Sequence, residues 1–321
     1  MVATVPDASS AIRRLITNVE RVISGKEATV ESAVVCLFSG GNLLLEGVPG
    51  VGKTMLARAL ARSISGSFRR VQATPDLLPS DVTGVSIYDQ DRHEFRFVPG
   101  PIFANVVLVD EINRTTPRTQ SSFLEPMEER QATVDGVARR LPEPFFLIAT
   151  ENPVEHHGTY PLPEGQLDRF TMSVRLDYPS ARAAREVVTR QMLHHPIEDL
   201  QPVLSAEEVV GLLPAVRTVH VADSLIDYAV SIVQATRGHE DVQLGASPRS
   251  AVALTRCAQS LAAARGRDFA LPDEIKAIAG DVLGHRLVLK GQKRLEPDSG
   301  RQVVKDVLDA VPVPLGVSEQ V

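Results

Sequence analysis

Tryptophan is absent and aromatic residues make up only 4% of the 321-residue chain. The core therefore has to be built from Leu, Val, Ile and Ala, a mix that favours α/β or helical packing over a β-sandwich. Cysteine is nearly absent as well. Cys36 and Cys257 stand far apart, without a metal-ligand spacing, each inside an apolar helical pattern, and read as buried small hydrophobes. No run approaches about 18 consecutive apolar residues, so no membrane span is expected. The opening MVATVPDASS lacks the basic start and apolar stretch of a signal peptide, and a reducing cytoplasm is the expected compartment. Basic charge is short: 34 Lys and Arg against 40 Asp and Glu give a net charge of −6. That argues against a general nucleic-acid binder, which concentrates Lys and Arg, while leaving room for a local basic patch.

What is present is a 43% apolar chain of a length that suits one large domain and one smaller one. Up to about residue 178, helical and strand patterns alternate. Two amphipathic stretches, Ile12 to Ile23 and Val30 to Leu37, end at Gly25 and at Gly40-Gly41. LLL at 43–45, FRRVQAT, NVVLVDE and FFLIATENP read as strands, and TMSVRLDYP as a last, alternating one. GVSIYDQDRHEFRFVPG reads as a hairpin turning at Asp89-Gln90-Asp91, and QATVDGVARRL as a second whose Asp135-Gly136 suits a type I′ turn. After Pro179 the strands stop and five helical patterns follow, one opened by a Ser205/Glu208 capping box. The expected organisation is an α/β nucleotide-binding domain over 1–178 with a parallel sheet, an all-α lid over 179–287 and a tail over 288–321.

The segment LLLEGVPGVGKTMLARAL carries the chemistry. Gly47-Val48-Pro49-Gly50-Val51-Gly52-Lys53-Thr54 matches G-x-x-x-x-G-K-[ST] in full, after a strand and at the start of a helix. Glycines let the backbone wrap a phosphate with its N–H groups, and the helix N-terminus adds its dipole. Lys53 is placed to reach the β- and γ-phosphates, and the Thr54 hydroxyl to ligate Mg²⁺. Downstream, an apolar run ends in Asp110-Glu111. An aspartate ending a buried parallel strand beside a P-loop holds Mg²⁺, and the following glutamate polarises the attacking water as general base. There is no N/T-K-x-D segment to read guanine, which favours ATP. Adjacent pairs His156-His157 and His194-His195 have no cysteine with them and point different ways on most backbones, so no structural metal site is expected there.

The P-loop, VVLVDEINRTTPRTQSSFLEPMEE, IATENP, LPEGQLDRF and GASPRS come in the order and spacing of the MoxR family of AAA+ ATPases, which the chain resembles over about residues 10 to 290. The resemblance implies an AAA+ core with inserted hairpins, as in magnesium chelatase subunits, where the two hairpins read above fall. It implies that Asn152 is the sensor 1 residue beside the strand of Asp110, and that Arg169 is an arginine finger acting on a neighbouring subunit. It implies that Arg249, in the first turn of a lid helix after Ser247 and Pro248, is sensor 2. Such an arginine, bound to phosphate, would tie the lid angle to nucleotide state, with a hinge near Tyr178 to Ser180. VISGKE at 22–27 falls where the adenine pocket of the family begins. A homo-oligomeric ring, a hexamer, is implied, with client proteins that include von Willebrand factor A domain carriers. The chain departs at Pro126, where alanine is usual, and a kink between Ser122 and Pro126 is expected. The function implied is a chaperone-like ATPase machine. The alternatives are a nucleotide-gated binding switch with slow turnover and, against the acidic charge, a DNA-directed motor.

Overall fold

The computed structural model describes residues 3–48, 50–152, 159–178, 180–192, 196–296 and 298–314. Two helices lead, α1 (Val5–Glu20) and α2 (Glu27–Phe38). α1 begins at a capping box in which Thr4 and Asp7 each accept the backbone N–H of the other. Strands and helices then alternate: β1 (Leu43–Glu46), α3 (Lys53–Ser63), β2 (Phe68–Gln72), α4 (Pro79–Thr83), the hairpin of β3 (Gly84–Asp89) and β4 (Glu94–Pro99), and β5 (Val106–Asp110). After these come α5 (Pro117–Ser121), α6 (Leu124–Glu129), a second hairpin of β6 (Gln131–Val134) and β7 (Val137–Arg140), β8 (Phe146–Glu151), α7 (Glu164–Leu167) and β9 (Met172–Arg175).

Five strands form one parallel sheet in the order β2-β5-β8-β1-β9. Its central strands are apolar along nearly their whole length because helices cover both faces. The order places β8 between β1 and β5. The loops that leave the C-terminal ends of these three strands therefore open on one edge, where open α/β sheets bind ligands.

Asp135 and Gly136 both have positive φ, 53° and 75°, which makes the β6–β7 turn the type I′ expected. The other hairpin differs slightly from expectation. Asp89 pairs with Glu94 inside the ladder, and residues 90–93 make the turn, because the Asp89 carboxylate accepts from the N–H groups of Asp91 and Arg92. Arg139 stacks 4.0 Å above the Phe97 ring and joins the two hairpins. The kink expected between Ser122 and Pro126 takes the form of a break, with α5 ending at Ser121 and α6 beginning at Leu124, just ahead of Pro126. Pro126 then occupies the first turn of α6, where a missing N–H leaves no intrahelical bond unmade.

Past β9 come α8 (Ala181–Gln191), α9 (Ala206–Arg217), α10 (Asp223–Gly238), β10 (Val242–Leu244), α11 (Pro248–Ala264), α12 (Pro272–Leu283), β11 (Val288–Leu289) and α13 (Ser299–Ala310). Two sequence expectations change here. Strands do not stop at Pro179, since β10 and β11 pair antiparallel. β9 does not alternate: Met172, Ser173 and Val174 are all buried, since α2 and α12 both pack on it. The expected tail over 288–321 holds a helix, α13, that packs on α12 and α10. Cys36 and Cys257 are fully buried in the core shared by the N-terminal helices and the lid, and burial pushes both thiols up, Cys257 to about 11.

Candidate nucleotide site

β1 ends at Glu46 and α3 begins at Lys53, so the glycine-rich loop lies at the C-terminal edge of the sheet. Pro49 lies outside the described residues. A Cβ on Gly47 would fall 2.4 Å from the Leu176 carbonyl oxygen, so the backbone fits there only without a side chain. Gly50 and Gly52 have open space but φ of 83° and 100°, and the turn into α3 needs that backbone. Val48 and Val51 lie between, with Val51 packed against the core. Lys53 is buried, and its Nζ donates to the Gly47 carbonyl at 2.6 Å and the Glu151 carbonyl at 3.4 Å. The ammonium is thus drawn across the mouth of the loop, where phosphate oxygens would compete for it.

Asp110 ends β5 facing this loop. One carboxylate oxygen, Oδ1, accepts from the Thr150 hydroxyl at 2.8 Å. The other, Oδ2, faces the Thr54 hydroxyl at 3.4 Å. An alcohol and a carboxylate on opposite walls are hard oxygen donors of the kind Mg²⁺ takes while keeping several of its own waters. These residues fit that ion. Arg70, from β2, also bonds Oδ2 through Nε at 2.8 Å. Half of its side chain is exposed, so it pairs with Asp110 from the solvent side of the site.

Glu111 leaves the strand with φ 58°, its N–H on the Thr150 hydroxyl at 2.8 Å. Thr150 therefore orients both acids at once. The Glu111 carboxylate is paired to Arg114 at 2.8 Å and receives Gln72 Nε2 at 3.4 Å. The glycine loop, Arg70, Gln72 and the two acids enclose a cleft of about 340 Å³. Asn152, immediately after β8, is buried on the same edge, between the P-loop strand and the strand of Asp110. Glu151, in register with Glu46 of β1, has a carboxyl pushed up to about 7, first by burial and then by the Glu46 charge, with Lys53 opposing. Lys26, of the expected adenine region, donates to the Tyr178 carbonyl at 3.2 Å, while residue 179, at the expected hinge, lies outside the described residues. So do both histidine pairs.

Arg169 and Arg249 are on the other edge. Arg169 precedes β9, whose Met172 is level with Leu43 at the start of β1. Four residues at about 3.3 Å each put roughly 13 Å of strand between that level and the P-loop. Arg169 Nη2 is 3.4 Å from Glu128 Oε2, and Arg249 Nη1 is 2.8 Å from Glu128 Oε1. Glu128 follows Met127, whose carbonyl accepts from Asn42 at the base of β1. All three residues thus sit at the N-terminal edge of the sheet. Thr150 and Glu128 lie inside the motif strings quoted above and Arg70 and Gln72 inside FRRVQAT, but none stands out there as a site residue, because their roles depend on which strands are neighbours. Only the two-residue spacing of Arg70 and Gln72 on β2, which puts them on one face, was readable.

The described fold and site match known proteins along most of the chain. Residues 42–172 match the model of the ATPase family associated with various cellular activities, and residues 234–307 that of the AAA lid domain. The uncharacterized protein YeaC of Bacillus subtilis is 48% identical over 309 residues, covering 96% of this chain and 97% of that one. The chaperone MoxR1 of Mycobacterium tuberculosis is 41% identical over 312 residues, 94% of this chain and 82% of that one. A crystal structure from Cytophaga hutchinsonii superposes with a TM-score of 0.87 at 37% identity, covering 96% of each chain.

Proposed function

The chain belongs to the MoxR family of AAA+ ATPases, and on that premise we propose that it hydrolyses ATP to ADP and phosphate between the subunits of a homo-oligomeric ring. The observation that carries this is the division of the site. The phosphate loop and both acids lie at one edge of the sheet, and Arg169 and Arg249 lie at the other. One subunit alone holds half a site, and a neighbour supplies the rest.

The backbone N–H groups of residues 47–53 and the Lys53 ammonium bind the β- and γ-phosphates. Thr54 and Asp110 would hold Mg²⁺, which would supply neutralisation of the phosphate charge when bound. Asn152 orients a water in line with the γ-phosphate. Glu111, once it lets go of Arg114, takes a proton from that water as its oxygen bonds to phosphorus and the bond to ADP breaks. Arg169 and Arg249 of the adjacent copy neutralise the charge that builds on the transferred group. In the cell, the cycle remodels or activates partner proteins in the cytoplasm, von Willebrand factor A domain carriers among them, from a hexameric ring. The name chaperone carried by MoxR1 supports the action on partner proteins. No helix among the described residues is long and apolar enough to cross a membrane.

One observation favours a second reading, a nucleotide-gated switch with slow turnover: the Glu111 carboxylate rests on Arg114 and Gln72. Phosphate release from Mg·ATP, measured on the wild type and on Glu111→Gln, separates the two. A hydrolysing machine turns over many times, and Glu111→Gln holds ATP without releasing phosphate. Equal rates in both proteins would remove Glu111 as the base. No release by the wild type at ring-forming concentrations would leave the switch.

A further inference from the structure

We propose that Arg286, on the lid, is a positioning residue for Arg169, so that the lid of one subunit decides whether the site of its neighbour is complete. The inference rests on the reading of Arg169 as a finger acting in trans. Arg286 follows α12, and only 3% of its side chain is exposed. Its Nη2 donates to the carbonyls of Phe170 at 2.8 Å and Asp168 at 3.4 Å, the two residues that flank Arg169. Its Nε lies 3.3 Å from Asp168 Oδ1. His285 Nε2 is 3.0 Å from the same Phe170 carbonyl, which requires the Nε2–H tautomer. The backbone on both sides of Arg169 is therefore held by one turn of the lid.

The same carboxylate reaches the second arginine. Ser247, the N-cap of α11, points its hydroxyl at both oxygens of Asp168 at 3.4 Å rather than at its own helix, and Arg249 stands two residues further on. Asp168 thus ties the backbones that carry Arg169 and Arg249, while Glu128 ties their guanidinium groups. Burying a guanidinium is costly unless it is paired, and a Leu or Met would fill the space without that cost. Nη2 alone bonds both carbonyls while Nε lies in ion-pair range of the carboxylate, and the width of the guanidinium plane is what spans the three. Burial and the Arg286 charge hold His285 neutral, its pKa lowered to about 3, so it supports Phe170 without adding a second positive charge. A shift of the lid therefore moves residues 168–170 and re-aims the finger.

The test mixes inactive variants. Arg286→Met and Asp168→Asn should each bind a fluorescent ATP analogue like the wild type, since the P-loop is at the far edge. Each should hydrolyse ATP about 10²-fold more slowly, the scale of a 1 Å misplacement at a reacting centre. Mixed with Lys53→Ala, which keeps its finger but not its phosphate loop, each should regain activity. Mixed with Arg169→Ala, neither should. Arg286→Lys, with the charge but not the fork, should keep part of the rate. Wild-type turnover by Arg286→Met overturns the inference, as does failure to revive with Lys53→Ala while an Arg169→Ala/Lys53→Ala control revives. If that control stays dead in rings shown to be mixed, the trans reading of Arg169 falls and this inference with it. If Arg286→Met fails to fold, Asp168→Asn decides by the same comparison.

Discussion

Arg169 and Arg249, one ahead of the last core strand and the other on the lid, are held by the two oxygens of a single carboxylate, that of Glu128. The pairing puts a core residue and a lid residue at one point, behind the sheet as seen from the phosphate loop of the same subunit. Arg249→Ala should therefore behave like Arg169→Ala, with its own ATP affinity retained and hydrolysis lost. Titration of a fluorescent ATP analogue checks this. A large loss of affinity with normal turnover per bound nucleotide would mean that Arg249 serves the phosphate of its own subunit.

Lys53→Ala should abolish nucleotide binding. The ammonium already sits at the mouth of the loop on the Gly47 carbonyl, and no other cation stands there to replace it among the residues lining the cleft except the half-exposed Arg70. Equilibrium binding of the same analogue is the measurement. Unchanged affinity would contradict the phosphate-loop assignment.

Thr150→Val keeps the shape of a buried side chain while removing the hydroxyl that bonds both Asp110 and the Glu111 N–H. The cost in stability should be about 1–3 kcal/mol, since a part-buried N–H loses its acceptor and the buried Asp110 oxygen its donor. Turnover should fall more than ATP affinity, because the two acids lose their common anchor. Steady-state kinetics beside a denaturant melt would show it. A variant with wild-type kinetics would reduce Thr150 to a packing residue.

Glu151 makes stability depend on pH. Its carboxyl is raised from 4.5 to about 7 by burial and by Glu46. Between those values the folded chain carries a proton that the unfolded chain has lost. The contribution is therefore full below about pH 4.5 and disappears as pH rises through about 7, by an amount on the order of 3 kcal/mol. Glu151→Gln should lack this fall, gaining on the wild type at pH 8 relative to pH 5 in urea melts. Parallel profiles for the two proteins would show that the Glu151 carboxyl titrates alike in the folded and unfolded chain.

The half of the site written in consecutive residues was legible in the sequence. The glycine loop, Asp110-Glu111 after an apolar strand, the Asp135-Gly136 turn and the Ser205/Glu208 cap are all local patterns, while Asn152 came only through the resemblance. The half that depends on adjacency was not. That Thr150 faces Asp110 follows from β8 lying beside β5, and that Arg70 reaches it follows from β2 being the next strand out. β11 has two residues, too few for any periodicity, and pairs across α11 and α12. β9 loses its alternating burial because the lid packs on it.

The central claim is that each catalytic site is built from two copies of this chain. An equimolar mixture of Lys53→Ala and Arg169→Ala tests it most directly, with ATP hydrolysis followed after mixed rings have been confirmed by mass. The first variant donates a finger but binds no nucleotide, and the second binds nucleotide but donates no finger. The account predicts that activity absent from either protein alone appears in the mixture, at interfaces that pair an intact loop with an intact Arg169. A mixture as inactive as its parts would contradict it.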